Sequence, residues 1–254
     1  MMLTRSLSLL HRTAVALGAG LLAWSCQAAE VSIAVAANFA APMRIIAQNF
    51  ERETGHKTLL AFGATGTFHA QIKNGAPFDV LLAADASTPS QLEKEGLAVA
   101  GSRHTYAVGR LVLWSSQAGL VDAQGEVLKS KSFKRLALAN PKLAPYGAAA
   151  LQVLQGLGLN DRVPLVEAAH IGQVFQFVAS GNAELGFVAL SQAFENGRLR
   201  SGSAWVVPAR LHAPLRQDAV LLTHGQHKTA AQAFLNHLRS DKAKAVIQAY
   251  GYEL

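Results

Sequence analysis

Residues 31–63, VSIAVAANFAAPMRIIAQNFERETGHKTLLAFG, carry the reading that decides the fold. Val31 to Ala36 is a short apolar run with strand character. Phe39, Met43, Ile46 and Phe50 then recur at helical spacing, with Arg44, Gln48 and Arg52 on other faces. Thr54-Gly55 closes that helix, and Lys57 to Phe62 returns as a strand. Asn38 stands where an N-cap belongs, and Pro42 is tolerated in the first turn. A strand, a helix and a second strand in immediate succession predict a βαβ unit. The turn between the first two, Ala36-Ala37-Asn38, has no charged side chain.

The same alternation continues along the chain. Gly63-Ala-Thr-Gly66-Thr67 leads into a helix through Gln71-Ile72, Phe78 to Ala83 is a strand, and Ser87-Thr88-Pro89 opens a helix that stops at Gly96. Tyr106 to Trp114 is predicted as one long strand, followed by a shorter one at Arg135 to Ala139. Further helices begin near Tyr146 and Ile171. Leu185 to Ala189, Ala204 to Val207 and Asp218 to Thr223 are predicted strands, and helices fill Thr229 to Tyr250. Alternating strands and helices argue for α/β layers with mostly parallel sheet.

At the N-terminus, MMLTRSLSLLHRTAVALGAGLLAWSCQA has a basic start at Arg5 and Arg12, a short apolar core from Thr13 to Trp24, and small residues before Ala28. That is the pattern of a secretory signal peptide over residues 1–28, and its apolar run is too short to span a bilayer. Cys26 also raises a lipoprotein signal, against which the bulky Trp24 stands. Cleavage removes the only cysteine, so no disulfide staples the remaining chain. The formal net charge of +7 falls when Arg5 and Arg12 are lost, leaving 21 basic against 16 acidic residues. These are scattered; the tightest basic group, Lys129 to Arg135, reads as a solvated loop and strand start. Neither that dispersion nor secretion suits nucleic acid. With 50% hydrophobic and 15% charged residues, the chain is globular.

In an α/β fold, ligands sit beyond the carboxyl ends of strands, where helices begin. Four turns qualify: Ala36-Ala37-Asn38, Gly63-Ala64-Thr65-Gly66-Thr67, Ala144-Pro145-Tyr146-Gly147 and His170-Ile171-Gly172. Each is poor in charge and rich in small residues, and each opens a helix whose first amides lack intrahelical partners. Converging on one cavity, they would bind an anion through oriented amides. Singly, each feature has a plainer explanation: a cap for Asn38, turn chemistry for Thr65, a surface aromatic for Tyr146, a core side chain for Ile171.

Together the four turns resemble those of the periplasmic molybdate-binding proteins of ABC transporters. The resemblance runs from Val31 to Gly251, through Ala36-Ala37-Asn38-Phe39, Ala70 to Val80, Ala84-Asp85, Tyr106 to Trp114, Ala144 to Gly147 and Leu185 to Leu190. It implies the two-lobed type II periplasmic binding protein fold, each lobe a mostly parallel sheet flanked by helices, joined by two crossing strands. Lobe one would take 29–109 plus 210–254, and lobe two 110–209. It also implies an oxyanion site in which Ala37 and Asn38 donate backbone amides, and Asn38 its carboxamide as well. Thr65 would donate hydroxyl and amide, and Tyr146 and Ile171 backbone amides. The ligand would be molybdate or tungstate, with no cofactor and no protein-coordinated cation. The protein would be a periplasmic monomer delivering to a membrane permease and its cytoplasmic ATPase. This sequence departs from the family by Ala189, where many members carry a Tyr hydroxyl, and by Ala37, where relatives with Asn carry a hydroxyl residue.

The chemistry is consistent with that reading. A tetrahedral dianion without a proton accepts hydrogen bonds and offers none, so its site needs donors only. Phosphate usually arrives protonated and needs an acceptor. Sulfate and small organic anions are the alternative ligands. An enzyme is the rival class, but no GxSxG elbow, Walker loop or HExxH occurs. His224 and His227 are too few for a zinc site, and Asp79 and Asp85 suit capping and turns.

Overall fold

The computed structural model describes residues 28–254 apart from Lys131 and Asp161. The expected leader and any lipidation of Cys26 lie outside these. The first half of the fold is built from β1 (Glu30–Ala36), α1 (Ala40–Thr54), β2 (Lys57–Gly63), α2 (Thr65–Lys73), β3 (Val80–Leu82), α3 (Ser87–Lys94) and β4 (His104–Gly109). The chain then crosses to a second sheet. That sheet is built with β5 (Leu111–Ser115), β6 (Leu136–Ala139), α4 (Pro145–Gly156), β7 (Leu165–Ala168), α5 (Ile171–Ala179), β8 (Leu185–Ala189) and α6 (Leu190–Ala193). After a small hairpin, β9 (Phe194–Glu195) and β10 (Arg198–Leu199), comes β11 (Ser203–Val206). The chain returns to the first sheet as β12 (Leu215–Leu221), and α7 (Thr229–Leu238) and α8 (Asp241–Ala249) complete it.

The sheets have the orders β2-β1-β3-β12-β4 and β11-β5-β8-β6-β7. β1 runs parallel to both β2 and β3, and β6 runs parallel to both β7 and β8. In each sheet, therefore, successive connections leave a central strand in opposite directions. This topological switch opens a crevice at the strand's carboxyl end. Asn38 follows the end of β1, and the turn leading to Tyr146 follows the end of β6. The two-lobed fold is as expected, but the sheets are mixed rather than mostly parallel. β12 pairs antiparallel with β3 and β4, and β5 pairs antiparallel with β8 and β11. These pairs involve the strands that carry the chain between sheets, with no helical crossover to force a parallel return.

The predicted strand from Tyr106 to Trp114 is two strands, broken at Arg110, each in its own sheet. Only Gly109 and the exposed Arg110 interrupt the apolar run, and so brief an interruption does not by itself mark a change of sheet.

Burial follows the expected periodicities. Met43, Ile46 and Phe50 of α1 are fully buried, and Gly55 closes the helix at φ 75° with its amide on Glu51 O. In β1, Ile33 and Val35 pack toward α1, α7 and α8, while Ala34 faces the side of Phe68, Ile72 and Leu92. A strand covered on both faces reads as a continuous apolar run, which is why Val31 to Ala36 lacks alternation. The second sheet packs Leu111, Leu113, Leu136, Leu138, Val174, Val178 and Phe187 into one core.

One half-buried histidine makes this fold sensitive to acid. His104 Nδ1 lies 3.0 Å from Arg239 Nη2, which donates to it, so the proton of the neutral ring sits on Nε2, a buried atom with no partner. Burial, reinforced by the Arg239 charge, pulls its pKa from 6.5 down to about 4. A folded-state pKa below the unfolded one means the unfolded chain binds the proton first. His104 therefore favours the fold in full above about pH 6.5, and this contribution is lost as the pH falls toward 4. Replacing His104 by Asn is expected to flatten the fall in melting temperature between pH 6.5 and 4.5 relative to the parent.

Candidate functional site

The carboxyl ends of β1 and β6 face each other across the cleft, and four helical segments start there. Ala37–Phe39 is a 3-10 turn leading into α1; α2 begins at Thr65, α4 at Pro145 and α5 at Ile171. The cavity they enclose is lined by Ala36, Ala37 and Asn38, Gly63, Ala64 and Thr65, Ala84, Ala144, Pro145 and Tyr146, His170 and Ile171. All five residues expected at the site (Ala37, Asn38, Thr65, Tyr146 and Ile171) are brought together. The space between these atoms is about 210 Å³, of which only about 10 Å³ admits the centre of a water molecule. That suits a compact ion.

No Lys, Arg, Asp or Glu is among the lining residues. Burial holds the His170 pKa below its usual value, so the ring is neutral at neutral pH, and its Nδ1 accepts from the Gln173 amide at 3.2 Å. The positive end of the site is therefore supplied by backbone. Each helix of two to three turns presents an N-terminal dipole of roughly half a charge. The amides of Thr65, Tyr146 and Ile171 stand in first turns without an intrahelical acceptor, and no backbone hydrogen bond to a described residue uses them. Pro145 has no N–H, so Tyr146 is the first amide α4 can offer.

The Thr65 side chain is almost fully buried, and its oxygen accepts the Ala84 amide at 2.9 Å. Its hydroxyl proton is thus free to point elsewhere, as a donor to an ion must. Asn38 departs from the sequence reading. It does not cap α1, whose N-cap position is Phe39. Its carboxamide turns inward, where Nδ2 lies 2.8 Å from Gln217 Oε1 and 3.1 Å from the Tyr252 hydroxyl. Tyr146 is no surface aromatic either. It is buried, and its hydroxyl accepts from Gln217 Nε2 at 3.2 Å. Burial pushes the Tyr252 pKa up to about 12 and those of Tyr106 and Tyr146 well above the ordinary value, so all three stay protonated hydroxyls. Sequence reasoning missed Gln217, Tyr252 and Ser191. Ala189, the position expected to lack a hydroxyl donor, is buried at the end of β8 and does not line the cavity.

A wider recess, with about 370 Å³ open to water centres against about 10 Å³ in the cavity, adjoins it and is lined by Asp85, Thr88, Lys142, Leu143 and Gln152 among others. It is the open mouth of the cleft. Charges of both signs beside solvent make it the poorer ion site, and the small neutral cavity is the one whose chemistry converges. Between the two, Gly66 N donates to Leu143 O at 2.8 Å, a bond from α2 to the loop before α4 that ties the halves together. A Cβ on Gly66 would sit 3.0 Å from both Cα and O of Leu143. Alanine suits a helix better than glycine, so Gly66→Ala is expected to leave the ligand-free melting temperature unchanged or slightly raised. It should weaken ligand binding about tenfold or more, roughly 1.4 kcal/mol, because only the closed arrangement suffers. Titration calorimetry against the parent checks this.

Among the described residues no group of three or more His, Cys, Asp or Glu is placed to hold a metal ion, and no helix is long and apolar enough to cross a membrane.

Known proteins share this sequence pattern and fold. The profile of the bacterial extracellular solute-binding protein family matches residues 31–253. The molybdate-binding protein ModA of Azotobacter vinelandii is 62% identical over 247 residues, covering 96% of this chain and 98% of that protein. ModA of Rhodobacter capsulatus is 48% identical, covering 94% of each. A solved periplasmic molybdate-binding protein from Azotobacter vinelandii superposes with a TM-score of 0.85 at 41% identity, covering 88% of this chain and 99% of that one.

Proposed function

The chain belongs to the bacterial extracellular solute-binding proteins, and from that premise we infer that it captures molybdate for delivery to an ABC-type membrane permease. The observation that carries this reading is a cavity without formal charge, ringed by helical N-termini. Four helical N-termini, one threonine hydroxyl and no formal charge suit a bare tetrahedral dianion, and a hydrogen bond to a charged acceptor contributes roughly 1.5–3 kcal/mol. Several such bonds offset the desolvation of the ion without a salt bridge. Ala37, Asn38, Thr65, Tyr146 and Ile171 are the proposed contacts, through backbone amides together with the Thr65 hydroxyl and the Asn38 carboxamide.

We extend the proposal to tungstate, which has the same charge and shape, and to high affinity. The protein acts in the periplasm after removal of residues 1–28. It works as a monomer, without a cofactor and without a reaction of its own, and its permease is driven by a cytoplasmic ATPase. The lobes divide at 29–109 plus 210–254 and 110–209, and they hinge where the chain crosses between sheets near Arg110 and after Val206.

Melting the mature protein with molybdate, tungstate, sulfate and phosphate separately tests this. At ligand about 100-fold above Kd, linkage gives roughly 2.7 kcal/mol of stabilisation, several degrees for a chain of this size. Molybdate and tungstate should raise the melting temperature, and phosphate should not. An equal rise with sulfate would reassign the protein to general sulfate-type oxyanions.

A further inference from the structure

Beneath the cavity lies a cluster of polar side chains that do not, for the most part, line it. Asn38, Gln217, Tyr106, Tyr146, Ser191 and Tyr252 are each at least nine-tenths buried. They come from both sheets. Gln217 and Tyr106 stand on β12 and β4 of the first, whereas Tyr146 and Ser191 begin α4 and α6 beside the second. In β12 the register slips between Gln217 and Asp218, so two consecutive polar residues are both buried, as a bulge allows. Gly109, at the end of β4, leaves the room they need, since a Cβ there would overlap the Tyr146 hydroxyl and stand 2.6 Å from Gln217 Nε2.

The bonds of this cluster leave one atom out. With both Asn38 N–H groups spent on Gln217 and Tyr252, Asn38 Oδ1 is buried without a donor. The two ends of a carboxamide are alike in size, so the assignment of O and N rests on the network around them. Turn Asn38 and Gln217 over together and every heavy-atom distance is kept. The Gln217 nitrogen then donates to the Asn38 oxygen at 2.8 Å and to the Tyr106 hydroxyl at 3.1 Å, while Tyr106 gives its own proton to Ala83 O at 3.0 Å. Tyr146 donates to the Gln217 oxygen at 3.2 Å and Ser191 to the Asn38 backbone oxygen at 2.9 Å, while the one Tyr252 proton goes either to the Asn38 side-chain oxygen at 3.1 Å or to its backbone oxygen at 2.8 Å. The Asn38 oxygen now has a donor in Gln217, in exchange for one Tyr252 contact, and the bare position is an Asn38 N–H seeking an acceptor.

We propose that Gln217, supported by Tyr252, is a positioning residue that fixes which end of the Asn38 carboxamide meets the ligand, and thereby sets the preference for unprotonated oxyanions. Nitrogen outward demands a bare oxygen. Oxygen outward accepts a proton and tolerates a hydrogen-bearing anion such as monohydrogen phosphate. A bound dianion holds the nitrogen outward, and the pair turns over when the cleft empties. The inference rests on the oxyanion reading of the cavity.

Titrate the mature parent, Gln217→Met and Tyr252→Phe with molybdate and with phosphate at pH 8. Losing the Gln217 anchor should weaken molybdate about 30-fold or more and narrow the molybdate-to-phosphate preference at least tenfold, with a smaller effect from Tyr252→Phe. A loss shared equally by both anions, or unchanged molybdate affinity, would overturn the proposal. Side-chain amide NMR of the parent gives a second readout that needs no variant to fold. On adding molybdate, one Asn38 Nδ2 proton should move downfield and gain protection from exchange. Molybdate binding with the Asn38 signals unmoved refutes the positioning role alone; no binding by the parent refutes the oxyanion reading and this inference with it.

Discussion

Asn38→Asp is expected to reduce molybdate affinity by at least about a thousandfold, roughly 4 kcal/mol. The substitution is nearly isosteric, so packing around the 3-10 turn is kept. What changes is chemistry in a cavity whose lining has no formal charge. One oxygen of the new carboxylate is held by Tyr252 and by the Gln217 side chain, which can turn its nitrogen toward it. The other replaces the side-chain N–H that donates to the ion. A single negative charge about 5 Å from a dianion costs several kcal/mol even at an effective dielectric of about 20. Protonation of the buried Asp would relieve part of this, so the loss should shrink as pH falls. A melt series with and without molybdate at pH 8 and pH 5.5 checks both the size and the direction. Retained affinity at pH 8 would remove Asn38 from the site.

Gly147→Ala is expected to cost about 2–4 kcal/mol of stability and to weaken binding as well. Gly147 is in the first turn of α4, one residue after Tyr146. A Cβ there would overlap Ala139 O and stand 2.7 Å from Ala139 C, at the end of β6. Both are backbone atoms of a central strand and cannot rotate away, unlike the far end of a flexible side chain. In a free helix, Gly to Ala gains about 1 kcal/mol; here the overlap reverses the sign, since overpacking typically costs 1–3 kcal/mol and occasionally more. To relieve it, α4 must move off the strand, carrying the Tyr146 amide away from the cavity. Denaturant unfolding gives the stability loss and calorimetry the affinity. A variant as stable as the parent would mean that α4 is not seated on β6 as described.

The four turns at the cavity were legible in the sequence because each is local. A strand that ends in small residues and a helix that opens at Asn38, Thr65, Pro145-Tyr146 or Ile171 are signals a few residues long. The helices themselves were equally legible, from apolar spacing and from stops such as Gly55. The direction of the strands was not. β5 is as apolar as β1 and β12 carries Arg216, Gln217 and Asp218, yet nothing in either short run says which way its neighbour points. Nor was the break at Gly109-Arg110, after which the apolar run resumes at once while the sheet changes.

Asn38 shows most plainly where local reading ends. Its residue type and place pointed to a cap, whereas its carboxamide is bound to Gln217 and Tyr252, 179 and 214 residues away. By itself the sequence determined an α/β chain with four uncharged strand-to-helix turns, since periodicity and turn chemistry act over one or two helical turns. Only the tertiary structure decided that those turns share one cavity and that a buried hydrogen-bond network sits beneath it. Both depend on which distant segments pack together, and packing is settled by the whole core at once.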